Sequence, residues 1–192
     1  MDVNLTRLKI DPKFTENFEN SLSEALKSSD IVALYEVLDI SLALDRSGEE
    51  IDSVYMKILE LTFDFLASKL SKAERFDLNS QKELLYARAV YEHALERWDS
   101  SDFKGAGELF TILSFMLDDE RLKKSMLLSM GLCAKGESLD NFLQKYVDHD
   151  SLDQNSVFFD KLTPEADLFL NRESSLIERE LAKIEKIARE SK

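Results

Sequence analysis

A chain of 192 residues is long enough for one domain with a sizeable core, or for an elongated helical array, and too short for two large domains. Its 25 Lys and Arg stand against 38 Asp and Glu, a formal charge of −13 spread along the chain, and such a field repels phosphate backbones and anionic membrane surfaces, which argues against nucleic acid as a partner. With 44% apolar and 33% charged residues and only 5 Gly and 2 Pro, the composition excludes a disordered chain and one rich in tight strand turns, leaving a nearly all-helical protein.

The single cysteine, Cys133, cannot form an internal disulfide, which fits a reducing compartment. No stretch approaches the roughly 18 apolar residues that a membrane span needs, so no membrane insertion is expected. The opening MDVNLTRLKIDPKF lacks the apolar run of a secretory signal, and the expected location is cytoplasmic.

Residues 1–13 are mixed, with a helix boundary expected at Asp11 because the residue before Pro12 is biased away from the α region. Thr15 is a candidate cap for a helix whose stripe carries Phe14, Phe18, Leu22, Ala25 and Leu26. Ser28-Ser29-Asp30 breaks that stripe, and Ile31, Leu34, Tyr35, Val37, Leu38 and Leu42 restart it, which predicts a helical hairpin. Ser47 and Glu50 stand at capping-box spacing before a third helix, IDSVYMKILELTFDFLASKL. Its stripe through Val54, Tyr55, Ile58, Leu61, Phe65 and Leu66 is wide enough to be covered on two sides. The polar run 69–80 is the clearest boundary in the first half, with Asn79 or Ser80 to cap the next helix. Further helices are expected near 81–98, 102–117, 120–135 and 138–147. After the polar connection VDHDSLDQNS, Thr163-Pro164-Glu165 opens a helix with proline in first position. The closing SSLIERELAKIEKIARESK puts Leu176 or Ile177, Leu181, Ile184 and Ala188 on one face, an amphipathic terminal helix of the kind that caps an open stack. The expected layout is a single all-helical domain over 1–192, with N-terminal helices at 14–75, the best-preserved repeats at 80–147 and capping helices at 164–192.

Internal repetition sharpens this. Ala94, Phe103, Ala106 and Phe110 give a small residue, an aromatic and then A-x3-F, the skeleton of a tetratricopeptide helix pair. Leu139, Phe142 and Tyr146 follow Phe103, Ala106 and Phe110 at an offset of 36, and Ser100-Ser101-Asp102-Phe103 follows Ser28-Ser29-Asp30-Ile31 at 72. Repeats of that type run close to 34 residues. The expected fold class is all-α, a helical hairpin array resembling degenerate tetratricopeptide repeats, with another all-α bundle as the alternative. Leu34 stands where Ala106 stands, so the first hairpin is expected to pack with different geometry.

Taken together, Ala87 and Tyr91, Phe103, Ala106, Phe110, Asp118 and Met130-Gly131-Leu132-Cys133-Ala134 resemble the order found in class II (translocator) chaperones of type III secretion systems. The likeness covers about a third of the chain; Lys135 interrupts the small residues before Gly136, and residues 1–75 are alike only in being helical. The resemblance implies an acidic cytoplasmic chaperone that keeps a secreted, hydrophobic or amphipathic protein soluble before export, and it leaves a homodimer open. In such arrays an extended peptide lies on the concave side. Arg88, Tyr91, Leu95 and Trp98 share a stripe of the helix near 82–98, and a shift of 36 maps Tyr91 onto Tyr55 and Leu127; these six are the candidate partner contacts. Leu95 and Leu127 suit a core better than a groove. Tyr91 and Trp98 suit either place, being amphipathic.

No chemistry stands out. Gly105-Ala106-Gly107 lies inside a helix and reads as close packing rather than a phosphate loop. His93 reads as a surface or packed histidine, Asp148-His149-Asp150 lacks ligand spacing for a metal, and Cys133 reads as a small packed residue. No catalytic residue, cofactor or metal is therefore expected, and the chain is not expected to be an enzyme. An adaptor that docks onto a larger assembly through a helical groove or its terminal helix is the alternative to the chaperone reading.

Overall fold

A helix needs partners for its first free amides, and in this chain short polar side chains supply them at most helix starts. The computed structural model describes residues 11–153 and 156–190, with side chains of the last helix described as far as Lys183. Among these residues the helices are α1 (Pro12–Lys27), α2 (Ile31–Ala43), α3 (Gly48–Ser71), α4 (Gln81–Asp99), α5 (Phe103–Met116), α6 (Glu120–Ala134), α7 (Leu139–Tyr146), α8 (Pro164–Arg172) and α9 (Ser174–Glu190). Among the described residues the only β pairing is an isolated antiparallel bridge between Val147 and Leu162. The protein is all-α.

The caps explain the polar echoes in the sequence. Asp30 accepts from the amide of Val32, Asp102 from Gly105 and Ser138 from Asn141, so residues 72 and 36 apart perform one task at three helix starts. Asp119 caps α6 through the amides of Arg121 and Leu122. Ser80 rather than Asn79 caps α4, accepting from Glu83 at 3.4 Å. Two expectations are corrected. Asp11, not Thr15, caps α1, since the Asp11 carboxylate reaches the amides of Lys13 and Phe14 while the Thr15 hydroxyl donates back to the Asp11 carbonyl. Ser47 does cap α3, but no capping box closes, because Glu50 turns to Arg46 and Ser41 instead. The first ten residues and the side chains of Ile184 and Ala188 lie outside the described part.

The chain divides into two compact units. The first contains residues 11–72 and 79–89. In it α1 packs on α2 and α2 on α3, burying Phe18, Leu22, Ile31, Leu34, Tyr35, Leu38, Val54 and Ile58. The first half of α4 joins them: Tyr86 stacks on Phe65 at 4.2 Å, and the Lys69 ammonium lies 2.8 Å from Glu83. Glu50 ties the hairpin ends together. It accepts from Arg46 at 2.8 Å and from the Ser41 hydroxyl at 3.0 Å, and Arg46 also reaches Glu19 on α1.

The second unit contains residues 73–78 and 90–190. Its most extensive pairing is α5 with α6, and α8 and α9 both pack on α6. Glycine sets two of these approaches. A Cβ on Gly131 of α6 would come within 2.7 Å of Ile177 Cδ1 and 3.0 Å of Phe169 Cε1. A Cβ on Gly105 would meet the Arg97 guanidinium at 2.4 Å, so its absence lets Arg97 lie across the start of α5 and bond Asp102 at 2.7 Å. Ala106 is fully buried, and Gly107 faces Cys133 at ordinary contact distance, as a packing seam requires. Phe142 and Tyr146 on α7 are buried as Ala106 and Phe110 are on α5, the faces that the offset of 36 aligns. Helix α7 has only 8 residues, however, and α8 is reached only after 147–153 and 156–163, which are non-helical.

The Arg46 hydrogen bond, helped by Ser41 and opposed by partial burial, holds the Glu50 carboxyl below its ordinary value. A carboxyl depressed in the fold stabilises above its unfolded value of about 4.3 and loses that contribution as pH falls through the folded value. Glu50→Gln should cost about 1 kcal/mol near neutral pH, as a partly exposed charged hydrogen bond does. In urea melts the gap between variant and parent should narrow steadily as the pH is lowered into the range where Glu50 protonates.

Candidate functional site

An indole or a phenol turned into a core carries one polar atom that must find a partner there. Tyr91 and Trp98 sit seven residues apart on α4, hence on nearly the same face, and each is 1% exposed. Trp98 Nε1 donates to the Glu137 carbonyl at 2.7 Å. That carbonyl is positioned by the end of α6. Gly136, at φ +69°, lets the amides of Gly136 and Glu137 turn back onto the carbonyls of Cys133 and Leu132. The indole then packs on Phe110 and Phe142, with ring centroids 5.5 and 5.3 Å away.

Tyr91 is satisfied by the stretch 147–163. The two ends of this loop are pinned together: Asp148 N–H donates to Lys161 C=O and Thr163 N–H to Tyr146 C=O, both at 2.9 Å. The Thr163 hydroxyl adds a bond to the Lys145 carbonyl. The returning limb passes over α4, α6 and α7. There the Phe159 N–H donates to Tyr91 Oη at 3.2 Å, and the Ser125 hydroxyl of α6 donates to the Phe159 carbonyl at 2.7 Å. Both main-chain groups of Phe159 are thus held by helix side chains, within a tight turn in which the Asp160 N–H donates to the Phe158 carbonyl at 3.0 Å. Phe158 meets the edge of Tyr91 at 5.1 Å, and Phe159 lies 6.2 Å from Phe142. Burial pushes the Tyr91 phenol well above its ordinary pKa, so it stays neutral and serves as an acceptor.

The six residues singled out by spacing divide between the units. Tyr55 and Arg88 belong to the first, both half-buried. The Arg88 guanidinium lies 4.3 Å above the Tyr35 ring and 3.2 Å from Asp39, held by its own unit. Tyr91, Leu95, Trp98 and Leu127 belong to the second. Leu95 and Leu127 are half-buried there. Tyr91 and Trp98 come together around Phe110, but inside the core, with their polar atoms already bonded. The structure adds Ser125, Phe158 and Phe159, which spacing did not single out. Only the paired aromatics of VFFD, set in a polar loop, carried a signal.

Beside the returning limb lies a cavity of about 450 Å³ whose lining includes Arg121, Lys124, Asp148, Asp160 and Lys161. Its charges are largely matched: Arg121 is 3.6 Å from Asp119 and 3.9 Å from Asp160, and Lys124 is 2.7 Å from Asp167. The amides that Asp119 caps, Leu122 foremost, hold its carboxyl below the usual range. Small-molecule pockets are mainly apolar with a few polar anchors, and this lining has the opposite character.

Other candidate chemistry disperses. His149 Nε2 bonds the Leu143 carbonyl while Asp148 turns to the Ser151 amide, and His93 Nδ1 lies 2.9 Å from Glu96. Among the described residues no group of three or more His, Cys, Asp or Glu is placed to hold a metal ion. Cys133 is buried, and its thiol is pushed up to about 12 by that burial. Among the described residues no helix is long and apolar enough to cross a membrane. No family model, curated protein or solved structure matches the chain.

Tyr91→Phe and Ser125→Ala each release one end of the Phe159 main chain, and each should cost about 1–2 kcal/mol for the group left unbonded. Denaturation followed by the fluorescence of Trp98, the chain's single tryptophan, reads the loss. Faster amide exchange at 157–161 in both variants would trace it to the limb.

Proposed function

We propose that this protein is a chaperone-like helical protein that takes an extended segment of a secreted, hydrophobic or amphipathic partner and keeps it soluble in the cytoplasm before type III export. The observation that supports this is the grip on Phe159. Tyr91 and Ser125 bind the amide and the carbonyl of one non-helical residue, while the rings of Tyr91 and Phe142 take the side chains of Phe158 and Phe159. Main-chain bonds for affinity and side-chain pockets for specificity are how proteins recognise extended peptides. In the free chain the protein's own limb fills this face, and an incoming segment replaces it. The resemblance of Ala87, Tyr91, Phe103, Ala106, Phe110 and the stretch 130–134 to translocator chaperones supports the link to export.

The competing role is an adaptor that docks through α9. One side of that helix packs on α5 and α6, and the other carries exposed Glu178, Arg179 and Lys183.

The two roles separate in one experiment. The chain is co-expressed with a secreted protein encoded beside it, and the product is purified by size exclusion. A soluble complex in which amides 157–161 exchange faster than in the free chain is expected, since the incoming segment displaces the limb. A complex with unchanged exchange there, lost on Arg179→Glu, assigns the adaptor role. Recovery of the chain alone, whichever exported protein accompanies it, overturns both.

A further inference from the structure

The limb that lies over α4, α6 and α7 closes on itself at Phe158. The Ser156 hydroxyl at 2.7 Å and the Asp160 amide at 3.0 Å both donate to the Phe158 carbonyl. A bond from one residue back to the carbonyl two before it makes a three-residue turn, and Phe159 is the central residue of this one. The turn uses the carbonyl before Phe159 and the amide after it, so the amide and carbonyl of Phe159 itself need partners elsewhere. Tyr91 and Ser125 are those partners, at 3.2 and 2.7 Å. Phe158 is buried against the edge of Tyr91, and the Phe159 ring lies 6.2 Å from Phe142 and 6.4 Å from Tyr91. Asp160 follows, its largely covered carboxylate 3.9 Å from Arg121 in the first turn of α6.

The limb is therefore a cast of what this face holds: a serine that closes the turn, two adjacent aromatics and an acid. We infer that the partner segment which replaces the limb copies it, as a tight non-helical turn with two neighbouring aromatic residues and an Asp or Glu directly after them. The inference rests on the limb-filled face being the binding face, as proposed above, and adds what its occupant carries. A helix does not fit, because its interior amides and carbonyls are bonded to one another and leave none for Tyr91 and Ser125. A regular strand sends neighbouring side chains to opposite faces, whereas Phe158 and Phe159 both reach the ring of Tyr91. A basic residue after the aromatic pair would stand against Arg121 instead of pairing with it. The limb of a second copy has the right sequence, but a net charge of −13 on each chain opposes that exchange.

The probe is a labelled, end-blocked peptide with the sequence of residues 156–162, SVFFDKL. It is titrated into the full chain carrying Phe158→Ala with Phe159→Ala, whose limb no longer fills the ring cluster. Binding there should be at least about tenfold tighter than to the parent chain, where the tethered limb competes at an effective concentration of about a millimolar. The peptide SVAADKL should bind that variant about tenfold more weakly or worse. The peptide SVFFKKL should lose about threefold, and Arg121→Glu added to the variant should reverse the order of SVFFDKL and SVFFKKL. Should the variant lose its cooperative melt, the parent chain decides. There SVFFDKL at roughly 5 mM should speed exchange of the amides at 157–161, and SVAADKL should not. Equal binding of these two peptides, no binding to a variant that melts cooperatively, or unchanged exchange in the parent would overturn the inference. So would a concentration-dependent dimer that Phe158→Ala with Phe159→Ala dissolves, since it assigns the face to the limb of a second copy. The two ideas fail separately. Bound SVFFDKL with no exported protein captured removes the chaperone role alone, and a captured protein that speeds exchange at 157–161 without any peptide binding removes the turn specificity alone.

Discussion

A buried polar atom without a partner costs about 1–3 kcal/mol, and in the second unit that constraint decides where the non-helical chain runs. Tyr91 and Trp98 share one face of α4, and the core closes over both. The indole is answered by a carbonyl at the end of α6 and the phenol by an amide in the loop that follows α7. A helix end and a loop are therefore fixed by two side chains on a single helix. Ser125 completes the arrangement by taking the carbonyl beside the amide that Tyr91 takes. The limb carrying Phe158 and Phe159 is consequently part of the core, although it has no regular secondary structure of its own.

The helix end that answers Trp98 differs from the others. Asp45, Ala73 and Ser101 also take left-handed backbone, at φ 54°, 54° and 64°, where a side chain on Cβ costs roughly 1–2 kcal/mol. Aspartate, alanine and serine bear that cost at three turns, and glycine avoids it at Gly136. The carbonyl one residue later is the one the indole reads. A shift of the turn there would break a buried hydrogen bond as well as a cap, so the strain-free residue stands where error in backbone geometry is most costly.

The legible part of the sequence was the local part. Helix positions came from the 3.6-residue period and helix starts from Asp, Ser and Thr, because capping needs only neighbouring amides. The recurrence at 36 and 72 was real at the caps Asp30, Asp102 and Ser138, which any helical hairpin needs, and it does not by itself establish a repeat array. The site was less legible. Tyr91 and Trp98 stood out because amphipathic aromatics concentrate in binding surfaces, yet the same property suits them to a core that offers one polar partner. Choosing between these roles required knowing where residues 156–163 run, and a loop without periodicity carries no such information. Ser125 was hidden for a similar reason, since its role lies in a bond spanning 34 residues to Phe159.

Helix α3 poses the opposite problem. Its stripe through Val54, Tyr55, Ile58, Leu61, Phe65 and Leu66 was wide enough for cover on two sides. The structure buries Val54, Ile58 and Leu66 and half-buries Tyr55, Leu61 and Phe65. The width of that stripe is used within the unit. Met56, Phe63 and Leu70 on the same helix stay 65%, 39% and 48% exposed. Exposing them costs little in the free chain but favours association, and net charge is the usual protection against unselective association. A net charge of −13 supplies that protection to the chain as a whole, because it sets every copy against every other.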